Sequence, residues 1–249
     1  MSPNLADCAL THLERTPIDV SKATAQHAAY EQALSDAGFE VIRLAELPDD
    51  PDAVFVEDTA LLLDGHAVIT RPGIASRANE TESTAAGLAD HFEVHRITSG
   101  HVDGGDVLRI ARTLYVGLST RTDAAGIEAL AALVRPLGYK VVRAELRDCL
   151  HLKTGATLAG PDANGTPVLL YSERSMDPAQ FADVEPMAVL EPAAANCLQV
   201  AETLILPAGN PRTAERLRER GFPVVEVAVS ELQKAEAGVT CMSLIDERP

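Results

Sequence analysis

No stretch of this sequence stays apolar for the roughly 18–20 residues that a helix needs to cross a bilayer, which excludes a helical membrane span. The opening residues, MSPNLADCAL, lack the basic and apolar regions of a secretory leader, so the expected location is the cytoplasm. Cysteine is scarce: four in 249 residues, Cys8, Cys149, Cys197 and Cys241, with no CxxC pair. That argues against a disulfide framework and against a structural zinc site, and leaves buried thiols as the ordinary expectation. Positive charge is in short supply, with 21 Lys and Arg against 37 Asp and Glu and a net charge of −16. So acidic a surface repels phosphate backbones, so nucleic acid is not an expected partner, whereas a small cation is compatible. No Pro/Ser-rich linker or low-complexity segment divides the chain. With 46% hydrophobic residues there is ample material for a core, and residues 1–249 read as one domain.

What the sequence does have is a recurring unit. In AVFVEDTALLLDGHAVITRPG two β-rich runs flank Asp64-Gly65, a hairpin signal. SRANETESTAAGLADHF then reads as a helix with Ser76 as its N-cap, and FEVHRIT as a strand. The pattern returns as GDVLRIARTLYVGLS, the helix in TDAAGIEALAALVRPLG and the strand YKVVRAEL. It returns again from TGATLAG through TPVLLYSE and a weak helix near DPAQFAD to PMAVLEP. A fourth copy is NCLQVAETLILPAG, the helix PRTAERLRERG with Pro211 in its first turn, and FPVVEVAV. A fifth is split: VTCMSLI supplies a strand at the end, and ATAQHAAYEQALSDAG and FEVIRLAEL supply helix and strand at the beginning. Five such units predict an α/β ring of ββαβ repeats closed across the termini, like a small propeller.

Asp58, Asp103, His151, Asn196 and Cys241 follow the phase of the repeat, separated by 45, 48, 45 and 45 residues. Equivalent positions in a ring converge near its axis, so these side chains are expected in one central pit. A thiol there becomes a nucleophile when a neighbouring positive charge favours its ionisation. An imidazole can protonate a leaving amine and then activate water. Carboxylates at the same centre bind a cation. Together they suit attack on a positively charged carbon, and a guanidinium fits: its carbon is electrophilic, its N–H groups match carboxylates, and its charge favours the thiolate.

The segments FVEDTA (55–60), ITRPG (69–73), SRANE (76–80), VDGGDVL (102–108), VGLSTRT (116–122), LHLKTG (150–155), AANC (194–197) and GVTCMS (238–243) occur in an order that resembles the dimethylarginine dimethylaminohydrolases, of the guanidine-modifying pentein superfamily. The resemblance spans nearly the whole chain. It implies the five-bladed ββαβ pentein propeller and hydrolysis of N-methylated L-arginine to L-citrulline, with no metal and no organic cofactor. It implies Cys241 as nucleophile, His151 as general acid and base, and Asp103 as the group that orients the histidine or binds the guanidinium. By position it carries over Glu57 and Asp58 to the guanidinium end and Asp52 to the amino-acid end. Arg77 and Arg121 become the clamp on the substrate carboxylate, a task suited to planar arginine donors. Leu10 falls on a mobile lid, and Ala235 and Glu236 at contact positions. A homodimer is compatible with the sequence.

Against these roles stand ordinary ones: a core histidine, core thiols, turn-forming aspartates beside glycines. Asp106 and Asn196 read as structural, and Cys197 as a packed thiol. Cys149, two residues from His151 and on the same face if the segment is a strand, would flank the imidazole rather than oppose it. The sequence also departs from its relatives. Arginine deiminases of the superfamily place an aspartate two residues after the histidine, where this chain has Lys153. Glu236 stands where family members usually carry Asp, and Ala235 where they carry a bulkier aliphatic. Relatives usually begin with a strand ahead of the residues matching ADCALTH, so the fifth blade is expected to lack a strand. The alternatives are a related guanidine hydrolase, a silent arginine-binding pentein, and a hydrolytic zinc site built from Cys241, His151 and Asp103.

Overall fold

Alternating apolar residues with tight turns between them produce four small sheets in the computed structural model, which describes residues 1–246 and Arg248. The first sheet holds β1 (Ala60–Leu63), β2 (His66–Ile69) and β3 (Glu93–Arg96). The second holds β4 (Val107–Ile110), β5 (Thr113–Leu118) and β6 (Lys140–Glu145). The third holds β7 (Ala156–Pro161), β8 (Pro167–Tyr171) and β9 (Glu185–Ala188). The fourth holds β10 (Leu198–Val200), β11 (Thr203–Pro207) and β12 (Val224–Val227). In each, the second strand is central: it pairs antiparallel with the first and parallel with the third. The hairpin β1–β2 turns on Asp64 and Gly65, both at positive φ (48° and 90°), the two-residue turn that matches the twist of paired strands.

A parallel third strand needs a crossover. Helix α2 (Ala78–Leu88) supplies it in the first unit and α3 (Ala124–Val134) in the second. α5 (Pro211–Glu219), with proline in its first turn as predicted, supplies it in the fourth. The weak helix predicted near DPAQFAD is a single 3₁₀ turn, Pro178–Gln180. The N-cap position of α2 is Arg77 rather than Ser76, which lies inside a preceding 3₁₀ turn.

The fifth unit is different. Its helix α1 (Val20–Asp36) begins three residues earlier than predicted, capped by Asp19, whose side chain accepts from Lys22 N. The two predicted strands are not strands. Residues 39–47 are irregular, and VTCMSLI becomes the 3₁₀ turn Thr240–Met242 followed by irregular chain. The physical reason is the topology of the other four sheets. The outer strands bond only to the central one, and among the described residues no segment takes that central place in the fifth unit. Packing holds it instead: Tyr30 and Leu34 of α1 bury against Ile205, Val227, Leu232 and Met242. Tyr30 OH also lies 2.7 Å from Ser243 Oγ. Leu232 belongs to the short α6 (Ser230–Gln233).

A helical turn precedes the first strand of each sheet, Val56–Thr59, Gly104–Asp106, α4 (Leu152–Gly155) and Pro192–Ala195, and the fifth unit keeps the matching turn, Thr240–Met242. Hydrogen bonds join each turn to the next. Gly105 N donates to Asp58 Oδ1 (3.0 Å) and Leu152 N to Asp106 Oδ1 (3.0 Å). Asn196 Nδ2 donates to the Lys153 carbonyl (3.0 Å), and Thr240 N donates to Asn196 Oδ1 (3.1 Å). Thr240 Oγ1 closes the circuit on Glu57 Oε2 at 2.7 Å. Among the described residues no helix is long and apolar enough to cross a membrane.

Candidate active site

The circuit of turns carries most of the polar residues singled out above, and its close approach depends on glycine. A Cβ on Gly105 would stand 2.8 Å from both Asp58 Oδ1 and His151 Nδ1, nearer than a side chain tolerates. The VDGGD segment thus lets the second turn slide under the first and bring their carboxylates to one imidazole.

His151 sits at the N-terminal edge of α4 and is 5% exposed. Its Nε2 lies 3.1 Å from Asp103 Oδ2, and its Nδ1 faces Asp58 Oδ1 at 4.0 Å, beyond hydrogen-bond range. Asp103 is fully buried, and its other oxygen accepts from Gly73 N at 2.9 Å. Burial works against a charged imidazole. The charge of Asp58, then the bond to Asp103 and the charge of Asp106, outweigh it and raise His151 to about 9. Burial likewise opposes ionisation of Asp58, yet His151 and Arg77 hold it down at about 2. Asp106 is structural, as expected: it accepts from Leu152 N and from Ser119 Oγ, and burial pushes its carboxyl up.

Cys241, half-buried in the fifth turn, lines one small cavity with Asp58, His151 and Leu150. Its sulfur accepts from Gly238 N at 3.3 Å. Burial, then the negative charges of Glu57 and Asp58, push the thiol up to about 12. Glu57 is engaged on both oxygens, by Lys153 Nζ (2.6 Å) and Thr240 Oγ1 (2.7 Å).

Other walls of the cavity are Asp52, Phe55, Arg77, Arg121, Ala235 and Glu236. Most donors of Arg77 are turned to protein acceptors: Asp58, both oxygens of Glu80, and the Phe55 carbonyl at 2.8 Å. Arg121 is less committed; Nη2 donates to Thr11 Oγ1 (2.8 Å) and Nη1 lies 3.8 Å from Asp103. Asp52 accepts from Ala9 N at 3.2 Å, and burial raises its carboxyl. Glu236, at φ 61°, accepts from the backbone of Thr11 (2.9 Å), His12 (2.5 Å) and Leu13 (2.5 Å). It ties the segment 9–15 down over the cavity. Ala9 of this segment lines the cavity, while Leu10 beside it packs against the core around α1.

The pit therefore gathers Asp58, His151 and Cys241 on its walls, with the fully buried Asp103 behind them, paired to His151. Asn196 is absent from its walls; it is buried in the circuit, where its amide bonds Thr240 and Lys153. Equal spacing was an imperfect guide. Asp58 and Cys241 lie within their turns and Asn196 just after its own, whereas Asp103 and His151 lie just before theirs. Cys149 is not on a strand as supposed; Asp148 beside it is left-handed (φ 47°), and Cys149 does not line the cavity. Cys197 is a packed thiol, 3.0 Å from Thr157 Oγ1. Sequence reasoning missed Ala9, Phe55, Leu150 and Ala237 as walls, since apolar and small residues carry no local signal of a pocket. It also missed the Lys153–Glu57 pair, for which the unlike charges offered only a hint. A larger hollow of about 320 Å³ lies between α1 and β12, lined by Ala33, Val225 and Val227, apart from all of these groups.

Asp58, Asp103 and His151 also offer donor atoms within 4.8 Å of one another, the reach of a metal site. Here Arg77 and Gly105 bind Asp58, and Gly73 and His151 bind Asp103. A thiol, an imidazole and several acids around one cavity can attack and protonate a flat cation.

A family model described as N,N dimethylarginine dimethylhydrolase, eukaryotic, matches residues 11–154. The chain is 39% identical over 245 residues to the N(G),N(G)-dimethylarginine dimethylaminohydrolase of Streptomyces coelicolor, covering 98% of this chain and 93% of that one. This chain belongs to the dimethylarginine dimethylaminohydrolase family. The relative of the same name from Pseudomonas aeruginosa is 38% identical over 233 residues, 91% of this chain and 89% of its own. A crystal structure of the Pseudomonas aeruginosa enzyme, a cysteine-to-serine variant complexed with citrulline, superposes with a TM-score of 0.89 at 37% identity, covering 98% and 95% of the two chains. The α/β architecture of four small sheets is that of the pentein fold in this family.

Proposed function

We propose that this chain hydrolyses N-ω-methylated L-arginine to L-citrulline and dimethylamine or methylamine, with Cys241 as nucleophile, His151 as general acid and base, and Asp103 orienting the imidazole. The observation that carries this reading is that His151, held from behind by Asp103, lines the same cavity as Cys241 in a chain of this family.

The acidic surroundings keep the free thiol protonated, and a guanidinium beside Asp58 would reverse that bias by placing positive charge next to the sulfur. The thiol proton passes to solvent, and the thiolate adds to the guanidinium carbon. His151, charged at neutral pH, gives its Nδ1 proton to the departing amine, and the C–N bond breaks to leave a thiouronium on Cys241. Neutral His151 takes a proton from water; the hydroxide adds to the same carbon, the C–S bond breaks to release thiolate, and the product sheds its O–H proton to the freed amine or solvent to become citrulline. We assign the substrate carboxylate to Arg121 and Arg77, both of which line the cavity, and its amino group to Asp52. Lys153 donates to Glu57 two residues after His151, so that position carries a cation rather than the aspartate of deiminases. The cavity measures about 20 Å³, space for about one water. Entry of an amino acid therefore requires the segment 9–15, with Leu10, to lift as a lid.

We read residues 1–249 as one catalytic domain, a pentein propeller of five units whose fifth blade lacks its sheet and is closed by the circuit of turns. The test is citrulline release from asymmetric dimethylarginine. Wild type is expected to turn over, and Cys241→Ser to lose activity by a thousandfold or more, on the order of other nucleophile deletions, with an unchanged circular dichroism spectrum. A turnover-competent serine variant, or release from free arginine but not from methylated arginines, refutes this assignment.

A further inference from the structure

Far around the first sheet from the circuit of turns, two histidines and a glutamate face one another across β2 and β3. In the parallel register His66 stands opposite Glu93, and His95 is two residues further along, so all three side chains leave the same face of the sheet. This is the face away from α2, whose Ala85 and Leu88 pack with Ala67, Ile69 and Val94 on the other side. His66 Nδ1 and His95 Nε2 are 3.0 Å apart. Glu93 reaches both, with Oε2 3.5 Å from His66 Nδ1 and Oε1 3.6 Å from His95 Nε2.

These separations are those of ligand atoms around a small ion. Nitrogen and oxygen donors bound at about 2.0–2.1 Å to a tetrahedral zinc lie about 3.3–3.4 Å from one another. Two imidazole nitrogens pointed at each other can share only one proton between them, whereas a metal ion between them satisfies both lone pairs. Both histidines keep about a quarter of their side-chain surface exposed (26% and 25%), and Glu93 70%. An ion could therefore enter from solvent and keep a fourth position for water.

We propose that His66, Glu93 and His95 form a surface site for a late first-row divalent cation, with a two-histidine, one-carboxylate donor set that suits zinc. The set binds copper(II) more tightly still. Its consequence is mechanical. β3 is the edge strand of its sheet, and an ion bridging it to β2 staples that edge in place. Because the site lies outside the circuit of turns, filling it leaves the methylarginine chemistry untouched.

The test uses tag-free full-length protein carrying Cys241→Ser, which removes the thiolate that would compete for the metal. Calorimetric titration with zinc should show a site that His66→Ala or His95→Ala weakens at least about tenfold, the scale of losing a metal-site group. Glu93→Gln, at an exposed position that does not threaten folding, should weaken it severalfold. Zinc should raise the melting temperature of the parent but not of the His66→Ala/His95→Ala double variant, and cobalt(II) should give the visible bands of a low-coordinate site only when both histidines are present. No zinc binding by the parent overturns the proposal. So does zinc binding that survives the double variant, which would place the ion on Asp58, Asp103 and His151 instead.

Discussion

The second unit and the fifth are built from the same plan and held together by different forces. In the second, β5 bonds on both sides, to β4 antiparallel and to β6 over six residue pairs. Its Leu114 and Val116 are fully buried against α3. In the fifth, residues 39–47 and 243–246 have, among the described residues, no central strand to bond to, and helix packing plus the hydrogen bonds of Thr240 and Tyr30 do the holding. Yet it is the fifth unit that carries the candidate nucleophile. The lesson is that the site is assembled by the turns rather than by the sheets. A blade can lose its ladder while its turn stays in register, provided the side chains that link it to both neighbours remain.

Hydrogen exchange breaks that comparison most directly. Amides of residues 40–46 are expected to exchange about a thousandfold or more faster than those of β5, because local opening free energies run from near zero to the global stability. Similar protection in both would mean that the fifth unit holds a ladder after all. The second contrast is electrostatic: units one to three bring charges to a sulfur supplied by the fifth. A thiol raised to about 12 is protonated throughout the neutral range. Alkylation of Cys241 in substrate-free protein should therefore climb about tenfold per pH unit from pH 7 to 10, as thiolate grows with each unit below the pKa. A rate that levels off by pH 10 would show a thiol of ordinary pKa. Glu57→Gln removes one of the charges responsible and should raise the rate at pH 8.

Asn196→Ala cuts the link between the fourth and fifth turns and leaves Thr240 N, in a buried residue, without its acceptor. It should cost about 1–3 kcal/mol in denaturant unfolding and lower kcat by misplacing Cys241; unchanged kcat would show that packing alone positions the turn. Tyr30→Phe removes only the bond to Ser243 and should cost about 0.5–1.5 kcal/mol. The smallest effect is reserved for the lid. Glu236→Ala frees three backbone donors of Thr11, His12 and Leu13 at an exposed edge. It should raise KM severalfold with little change in melting temperature, and an unaltered KM would show that the latch is decorative.

Much of this was legible in the chain. Asp64-Gly65 announced a hairpin and Pro211 a helix start, because turn dihedrals and the missing proline N–H act locally. The repeat located four sheets, and its phase located the candidate Asp58, Asp103, His151 and Cys241. The failures fall where pairing partners matter. FEVIRLAEL has the composition of a strand, but a strand is a relation between two segments, and no residue of it records that the second is missing. Ala9, Phe55 and Leu150 look like any apolar residue until the turns close over them.

By itself, then, the sequence determined the local conformations, the family, and which side chains can carry acid, base and nucleophile. Only the tertiary structure decided that Asn196 belongs to the frame rather than the pit, that most of Arg77 is turned to Asp58 and Glu80, and that Glu236 fastens the segment above the cavity. The reason is physical. Backbone preference is set within a few residues, whereas burial, charge and hydrogen-bond partners are set by neighbours dozens or hundreds of positions away.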